Sequence, residues 1–272
     1  MIIYDPAMSL AWRVTGTAVA LTGLVAVGVY KFVLLAMFWR IEPASTGTWV
    51  NIGTVGVAML GPLLVYLWLT RRLLRPPATF RRARDEAAFV VSGSPAQPGF
   101  LAITLMVQAA NTLPMERVPG TDRIGLPVDP GLQALMAVPA LMVLAAFALL
   151  WLPGPELRLT PAGITVRNAF RPHDIRWDDL MSGGPHPGRW TIRLLHRGPD
   201  GKTGSSRITV FRLHINAVFL ATVLRHYAER PEHRAEIGTQ AERDRLETGF
   251  RQWKAQPVAR RGTAVQPPVI RA

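Results

Sequence analysis

A twenty-residue run without a charged side chain, from Leu132 to Trp151, constrains this chain more than any other feature. An α-helix rises about 1.5 Å per residue, so a run of this length matches the hydrocarbon core of a bilayer. Pro153 and Pro155 follow closely and are expected to end the helix. The run therefore predicts a transmembrane helix that separates a mostly apolar amino-terminal half from an arginine-rich carboxy-terminal half.

Three further apolar stretches precede this run, at residues 14–39, 49–70 and 99–115. The first two are long enough to cross a bilayer as helices. The third is shorter and carries Gln108 and Asn111, so the residues alone allow a short span, a re-entrant segment or an interfacial helix. Residues 1–13 lack the basic start and the cleavage site of a secretory signal, which favours a retained anchor as the first span.

Two details of the first two stretches concern their packing. Lys31 lies near the end of the first stretch, where its ammonium group is expected to extend to the lipid headgroups. In the second stretch, Pro62 is expected to kink the helix. Three glycines of the same stretch are expected to allow close approach of another helix, namely Gly53, Gly56 and Gly61.

Six arginines directly follow the second stretch, at positions 71, 72, 75, 81, 82 and 84. Basic residues beside a span concentrate on the cytoplasmic side, so this loop is predicted to be cytoplasmic. The carboxy-terminal half is also basic, and placing it on the same side requires an even number of crossings. Residues 99–115 are then expected to cross, which gives a multi-pass protein of the inner (plasma) membrane. The last span is 132–152, the linker 116–131 lies outside, and both termini are cytoplasmic.

The hydrophobic period changes from helical to alternating after Glu156, which predicts short half-buried strands. Buried positions are expected at alternate residues, in the sets Leu157 and Leu159, Ile164 and Val166, Ile175 and Trp177, Trp190 with Ile192 and Leu194, and Ile208 with Val210. Short turns join the strands, so the fold class predicted is a membrane α-helical bundle plus a small antiparallel β-barrel or sandwich. Asn216 is a predicted N-cap, and the helix that it starts is expected to close the barrel before Pro231.

Three segments carry a resemblance to a known family. They are LRLTPAGITVR at residues 157–167, IRWDDL at 175–180 and LRHYAERPEHRAEIG at 224–238. Together they resemble the bacterial pleckstrin-homology (PH) domains that are attached to membrane helices in high-GC Gram-positive bacteria. The resemblance implies a PH-like barrel over residues 155–238, capped by one carboxy-terminal helix. It does not transfer a ligand site. The phosphoinositide-binding members of the wider superfamily carry basic residues across the first hairpin, whereas here the turn at 160–163 has none and only Arg158 and Arg167 flank it.

Four arginines of the predicted strands are candidate lipid-facing residues: Arg158, Arg167, Arg176 and Arg193. They alternate with core positions and should point outward. Beside an anionic leaflet each would contribute about 1 kcal/mol of attraction. An ordinary solvated strand surface explains their positions as well.

The sequence predicts no catalytic, cofactor-binding or metal-binding residues. It contains no cysteine, and its six histidines do not fall at zinc-site spacing. Asp174, Asp178 and Asp179 surround Trp177 and are interpreted as turn or helix-start residues rather than as a cation site. The net charge of +13, with 31 Lys+Arg against 18 Asp+Glu, is attributed to membrane orientation and not to nucleic-acid binding.

The last 34 residues, 239–272, are expected to form a charged helix followed by a disordered tail. Leu246, Phe250 and Trp253 fall on one face of that helix, which could lie on the bilayer or on a partner.

The functional prediction is a non-catalytic binding or scaffolding protein at the inner leaflet. Its expected partners are the lipid bilayer, anionic headgroups, and another membrane or cytoplasmic protein. The alternative is an accessory subunit of a transporter or enzyme complex whose chemistry resides in another chain.

Overall fold

The computed structural model describes residues 6–38, 41, 44–83, 86–117, 124–127, 129–167, 172–181, 185–188, 190–197 and 202–255. These residues form two compact units. The helical unit lies within Met1–Leu74 and Pro95–Leu152, and the sheet unit lies within Arg75–Ser94 and Pro153–Ala272. The sheet unit therefore extends beyond the expected range of 155–238, because it includes the segment that follows the second apolar stretch.

The described α-helices are α1 (Pro6–Val29), α2 (Leu35–Phe38), α3 (Ala44–Thr70), α4 (Ala96–Thr112), α5 (Pro130–Ala134), α6 (Ala137–Trp151), α7 (Ala217–Glu229) and α8 (Gln240–Ala255). A π-helical turn, Tyr30–Leu34, joins α1 to α2, and 3-10 turns cover Trp177–Asp179, Val210–Arg212 and Pro231–Glu236. The described strands are β1 (Arg81–Arg82), β2 (Phe89–Ser92), β3 (Glu116–Arg117), β4 (Ile124–Gly125), β5 (Glu156–Leu159), β6 (Gly163–Arg167), β7 (Pro172–Arg176), β8 (His186–Pro187), β9 (Thr191–Arg197) and β10 (Thr203–Thr209).

Three helical segments are long and apolar enough to cross a membrane: Leu10–Phe38, Ser45–Thr70 and Pro130–Trp151. They correspond to three of the four predicted spans, so the long apolar stretches are confirmed as helices. Only 17% of the most hydrophobic window in each of them is buried within the protein. Helices that are apolar on all sides and largely uncovered by protein are suited to a lipid environment.

The remaining predicted span, residues 99–115, corresponds to α4, the most enclosed helix of the helical unit. Its Ala102, Ile103 and Met106 are fully buried. They belong to one core with residues from the neighbouring helices, among them Ala20 of α1, Tyr66 of α3 and Ala146 of α6. Its 17 residues give a length of about 25 Å, close to the lower limit for a span.

Close helix packing involves different glycines from those predicted. Among the described residues, no atom of another segment lies within 4 Å of the position that a methyl group would take at Gly53, Gly56 or Gly61, so the prediction of close approach there is wrong. The reason is that α3 turns Ala58 and Tyr66 toward the core, which leaves those glycines on its open side. Close contacts occur instead at Gly16, Gly23 and Gly99. Helix α3 continues through Pro62, and Gly23 of α1 packs against that proline.

The sheet unit contains two antiparallel sheets, with strand orders β1-β2-β5-β6-β7 and β10-β9-β8. Strand β2 pairs with β5 in the register Phe89 to Leu159 and Val91 to Leu157. Isolated bridges join Gly93 to Leu213 and Leu180 to His196. The predicted antiparallel strands are thus present, whereas the described strands do not form a closed barrel.

A single hydrophobic core fills the sheet unit. It includes Phe80, Phe89 and Val91 from the segment before α4, together with the inward residues of β5, β6, β7, β9 and β10 and of α7. Leu246 and Phe250 of α8 are buried in the same core. The expectation that this face of α8 lies on a bilayer or a partner is therefore wrong, because the core of the unit covers it. The predicted disordered tail from residue 256 onward lies outside the described residues.

The start of α7 follows the prediction. The Asn216 side-chain oxygen accepts hydrogen bonds from the backbone N–H groups of Val218 and Phe219, both at 3.0 Å. Such a cap satisfies donors that have no partner within the helix. The predicted burial of Trp190 is wrong: β9 begins one residue later, and the indole is exposed.

We expect Gly99→Ala to destabilise the helical unit by about 1–3 kcal/mol, the usual cost of overpacking. A methyl group there would overlap the hydroxyl group of Tyr66, which is buried and donates to the Pro95 carbonyl at 3.0 Å. Gly53→Ala is the matched control, since it meets open space in a helix. Thermal unfolding midpoints in detergent should fall for the first variant and not for the second. Equal midpoints would contradict the packing described for α4.

Candidate functional site

The four candidate lipid-facing arginines do not form one patch. Arg158, Arg167 and Arg176 lie on the five-stranded sheet, and Arg193 lies on β9 of the other sheet. The last three are exposed, and none of them has an ion pair with another residue in the part of the chain that the structure describes.

Arg158 differs from the others because carboxylates surround it. Its Nε lies 2.5 Å from Glu156 Oε1, and its Nη1 lies 3.3 Å from Glu86 Oε2. The hydrogen bond with Glu156 raises the pKa of Arg158 above its ordinary value. Arg158 is consequently the least suited of the four to bind a separate anion.

A buried polar cluster joins α7 to α8, and sequence reasoning missed it. The Tyr227 hydroxyl donates to Glu242 Oε1 at 2.8 Å. Arg245 binds both oxygens of the same carboxylate, at 2.6 Å from Nε and 2.9 Å from Nη2. Burial alone would raise the pKa of Glu242, but these hydrogen bonds outweigh it and hold that pKa below its usual value. Glu242 thus supplies a buried anion that is fully paired.

Two histidines complete this polar cluster. His226 Nε2 lies 2.9 Å from His233 Nδ1, and Arg245 Nη2 lies 3.3 Å from both nitrogens. Burial, assisted by the positive charge of Arg245, lowers the pKa of His226 to about 4. One of the two facing imidazole nitrogens must accept a hydrogen bond from the N–H of the other, so the arrangement requires at least one neutral ring.

Arg234 extends the polar cluster to the strands. Its Nε donates to the Tyr227 carbonyl at 2.9 Å, and its Nη1 donates to Asp178 at 2.6 Å. Its guanidinium also lies over the ring of Trp177, whose indole N–H donates to the Thr160 carbonyl at 2.7 Å. Asp178 therefore acts in a turn, as predicted from the sequence. The cluster is internally satisfied and holds α7, α8 and the β7 end together.

A serine lies between two histidines where the two sheets meet. Ser206 Oγ is 2.9 Å from His173 Nε2 and 2.9 Å from His196 Nε2. A serine nucleophile requires a base that a third group orients. Neither ring contacts a carboxylate within the described residues, so this geometry supports contact between the sheets and not nucleophilic chemistry.

Lys31 has a structural role in the helical unit. Its Nζ donates to the carbonyls of Asn111 at 2.6 Å and Leu113 at 2.5 Å, at the carboxy-terminal end of α4. The last carbonyls of a helix lack internal partners and attract a cation. Lys31 is also buried, so it binds this helix end and does not extend to the headgroups as expected.

Comparison with known proteins gives no match to a family model, a curated protein or a solved structure. The PH resemblance therefore stays a prediction. Within the described residues, no group of three or more His, Cys, Asp or Glu side chains is placed to hold a metal ion.

We expect acid to weaken the attachment of α8. The pKa of His226 is about 4 in the folded chain, against about 6.5 when unfolded. The unfolded chain therefore binds the additional proton between these values, and stability falls as pH decreases from about 6.5 to about 4, by up to about 3 kcal/mol. The hydrogen-exchange protection factors of α7 and α8, which are corrected for the intrinsic exchange rate at each pH, should fall over this range.

His226→Gln should reduce this pH dependence, because it removes the titrating ring. His173→Gln is the control, since that ring is exposed and bonded only to Ser206. If both variants keep the wild-type pH profile, His226 is not the group responsible.

Proposed function

We propose that this chain is a four-crossing membrane protein whose sheet unit lies in the cytoplasm and serves as a non-catalytic binding or scaffolding module at the inner leaflet. The observation that supports the proposal most strongly is the pairing of β2 with β5. The two strands are neighbours in one sheet, although α4 and α6 separate them in the chain.

The pairing limits how often the chain can cross between the two strands. Two hydrogen-bonded strands of an open sheet must lie on the same side of a bilayer. Such a sheet cannot extend through the hydrocarbon region, where only a helix satisfies the backbone hydrogen bonds of a crossing segment by itself. The chain between Ser92 and Glu156 therefore crosses an even number of times. The candidate span Pro130–Trp151 accounts for one crossing. The second crossing is then assigned to α4, whose burial among α1, α3 and α6 compensates for its short length.

Arginines support the cytoplasmic side of the membrane as the location of the sheet unit. Arg71, Arg72, Arg75, Arg81 and Arg82 are exposed and follow α3 directly. Arginine beside a span favours the cytoplasmic side. The sheet unit and both ends of the chain are placed on that side by the same crossings.

The module's binding role is supported by its architecture and its charge. Two antiparallel sheets followed by a helix agree with the PH-like resemblance of residues 155–238, with the addition of β1, β2 and α8. Exposed arginines at 167, 176 and 193 offer positive charge to anionic headgroups. For the accessory-subunit alternative, the polar residues expected inside the spans are Lys31, Gln108 and Asn111. The contacts of Lys31 with the end of α4 favour a structural role for it over a transport pathway.

Cysteine labelling tests the four crossings, because the natural chain has no cysteine. Leu126→Cys, in the linker between α4 and α5, should react with a membrane-impermeant maleimide in intact cells. Ser205→Cys, on exposed β10, should react only after the membrane is permeabilised. Both yields are normalised to the detergent-solubilised protein. Equal reactivity of the two sites in intact cells would contradict the proposal, and reversed reactivity would invert the orientation.

A further inference from the structure

Among the described residues of the sheet unit, two of the exposed large hydrophobic side chains contact each other, and a third, Val218, lies seven residues after Phe211 in the first turn of α7. In the described part of that unit, this class consists of Trp190, Phe211 and Val218, which are 56%, 44% and 39% exposed. The rings of Trp190 and Phe211 make an edge-to-face contact, with centroids 6.1 Å apart. The Trp190 carbonyl also accepts a hydrogen bond from Val210 N at 2.9 Å. We name these three residues the aromatic patch.

The aromatic patch lies where the chain connects the sheet unit to the helices. Arg212, next to Phe211, accepts a hydrogen bond through its carbonyl from Ser94 N at 2.9 Å. Ser94 is the last residue of the sheet unit before the chain enters the helical unit at Pro95. On the other side, His214 N donates to the Ser92 carbonyl at 3.0 Å.

The other two connections converge on the same segment. Asn216 N donates to the carbonyl of Pro77 at 2.9 Å, and Pro77 follows the end of the helical unit, Leu74, by three residues. Pro155 follows Leu152, the other end of that unit, by three residues and packs against Gly93, which bridges to Leu213. Residues 211–218 therefore contact two of the three chain connections between the units directly, and they reach the third, at Pro155, through Gly93.

Positive charge accompanies the aromatic patch. Arg212 is exposed beside Phe211. Two residue pairs further along the β9–β10 hairpin, Arg193 and Arg207 face each other in register, and both are exposed. Like charges directly opposite on a sheet are unfavourable, and neither arginine has an ion pair with another described residue. An anionic surface would relieve this repulsion.

We infer that Trp190, Phe211 and Val218 insert into the headgroup region of the cytoplasmic leaflet while Arg193, Arg207 and Arg212 bind anionic lipid headgroups. Tryptophan and other aromatic rings are favoured at that depth of a bilayer, and each arginine near an anionic leaflet gains electrostatic attraction. This inference rests on the proposed four-crossing topology, which brings residues 77, 94 and 155 close to the membrane surface. The bilayer, and not a second protein, is the partner.

The test uses two sites on one helix of the full-length chain. Val218→Cys lies at the first turn of α7 in the aromatic patch, and Glu229→Cys lies at its exposed last residue. Each variant is labelled with a fluorophore and reconstituted in phosphatidylglycerol-containing vesicles that carry a shallow spin-labelled lipid. The label at 218 should be quenched by that lipid roughly threefold more than the label at 229, and aqueous iodide should show the opposite order.

Equal quenching at the two sites, or free access of iodide to position 218, would overturn the inference. Shielding of position 218 from both quenchers would also overturn it, since a protein contact would then cover the aromatic patch. The maleimide labelling of positions 126 and 205 separates these outcomes from failure of the topology itself. If the labelling gives the expected result and the quenching does not, the topology stands and only the insertion of the aromatic patch into the leaflet is wrong.

A second part of the experiment tests whether Arg193 and Arg207 bind anionic headgroups. Replacing phosphatidylglycerol by phosphatidylcholine should reduce lipid quenching at position 218, and the double variant Arg193→Gln, Arg207→Gln should remove that dependence on lipid charge. Arg167→Gln, Arg176→Gln is the matched control on the other sheet and should retain it. The same dependence in both double variants would overturn the assignment of Arg193 and Arg207.

Discussion

The antiparallel pairing of β2 with β5 is the interaction on which the rest of the structure depends. It buries Phe89 and Val91 beside Leu157 and Leu159, so it joins two distant chain segments through a shared hydrophobic core as well as through backbone hydrogen bonds. The helices between these strands must leave the sheet unit and return to it. In the chain between these strands, α4 packs among α1, α3 and α6, and its Ala102, Ile103 and Met106 are buried there.

The same pairing of β2 with β5 changes the boundary of the sheet unit from the predicted one. Residues 155–238 lack Phe80, Phe89 and Val91 on one side of the core and Leu246 and Phe250 on the other. Loss of such large buried side chains costs several kcal/mol each, against a typical total stability of about 5–15 kcal/mol. The sheet unit is thus assembled from chain segments on both sides of α4 and α6, and its helix α8 is joined to α7 by the contacts of Glu242 with Tyr227 and of Arg245 with His226.

Sequence patterns predicted the features that depend on local periodicity. The long apolar helices followed from the length of uncharged runs, the strands around Leu157 and Ile164 from alternation, and the cap of α7 from the residue type of Asn216. The pairing of β2 did not, because Phe89–Ser92 is short and its partner lies more than sixty residues away. The sequence analysis did not single out Glu242 or Arg245 within the charged helix, although Glu242 lies four residues before Leu246 on the buried face. Burial of Trp190 was mispredicted because alternation does not show where a strand begins.

The pairing of β2 with β5 is tested most directly by forming a disulfide between the two strands in native membranes. Val90 and Arg158 are register partners, and antiparallel partners lie within the Cα distance that a disulfide requires. With a protease site introduced at Leu126, oxidised Val90→Cys, Arg158→Cys protein should keep its two fragments joined on a non-reducing gel, whereas Val90→Cys, Arg176→Cys should not. Separation of the fragments in the first variant, or equal joining in both, would contradict the pairing and with it the four-crossing topology.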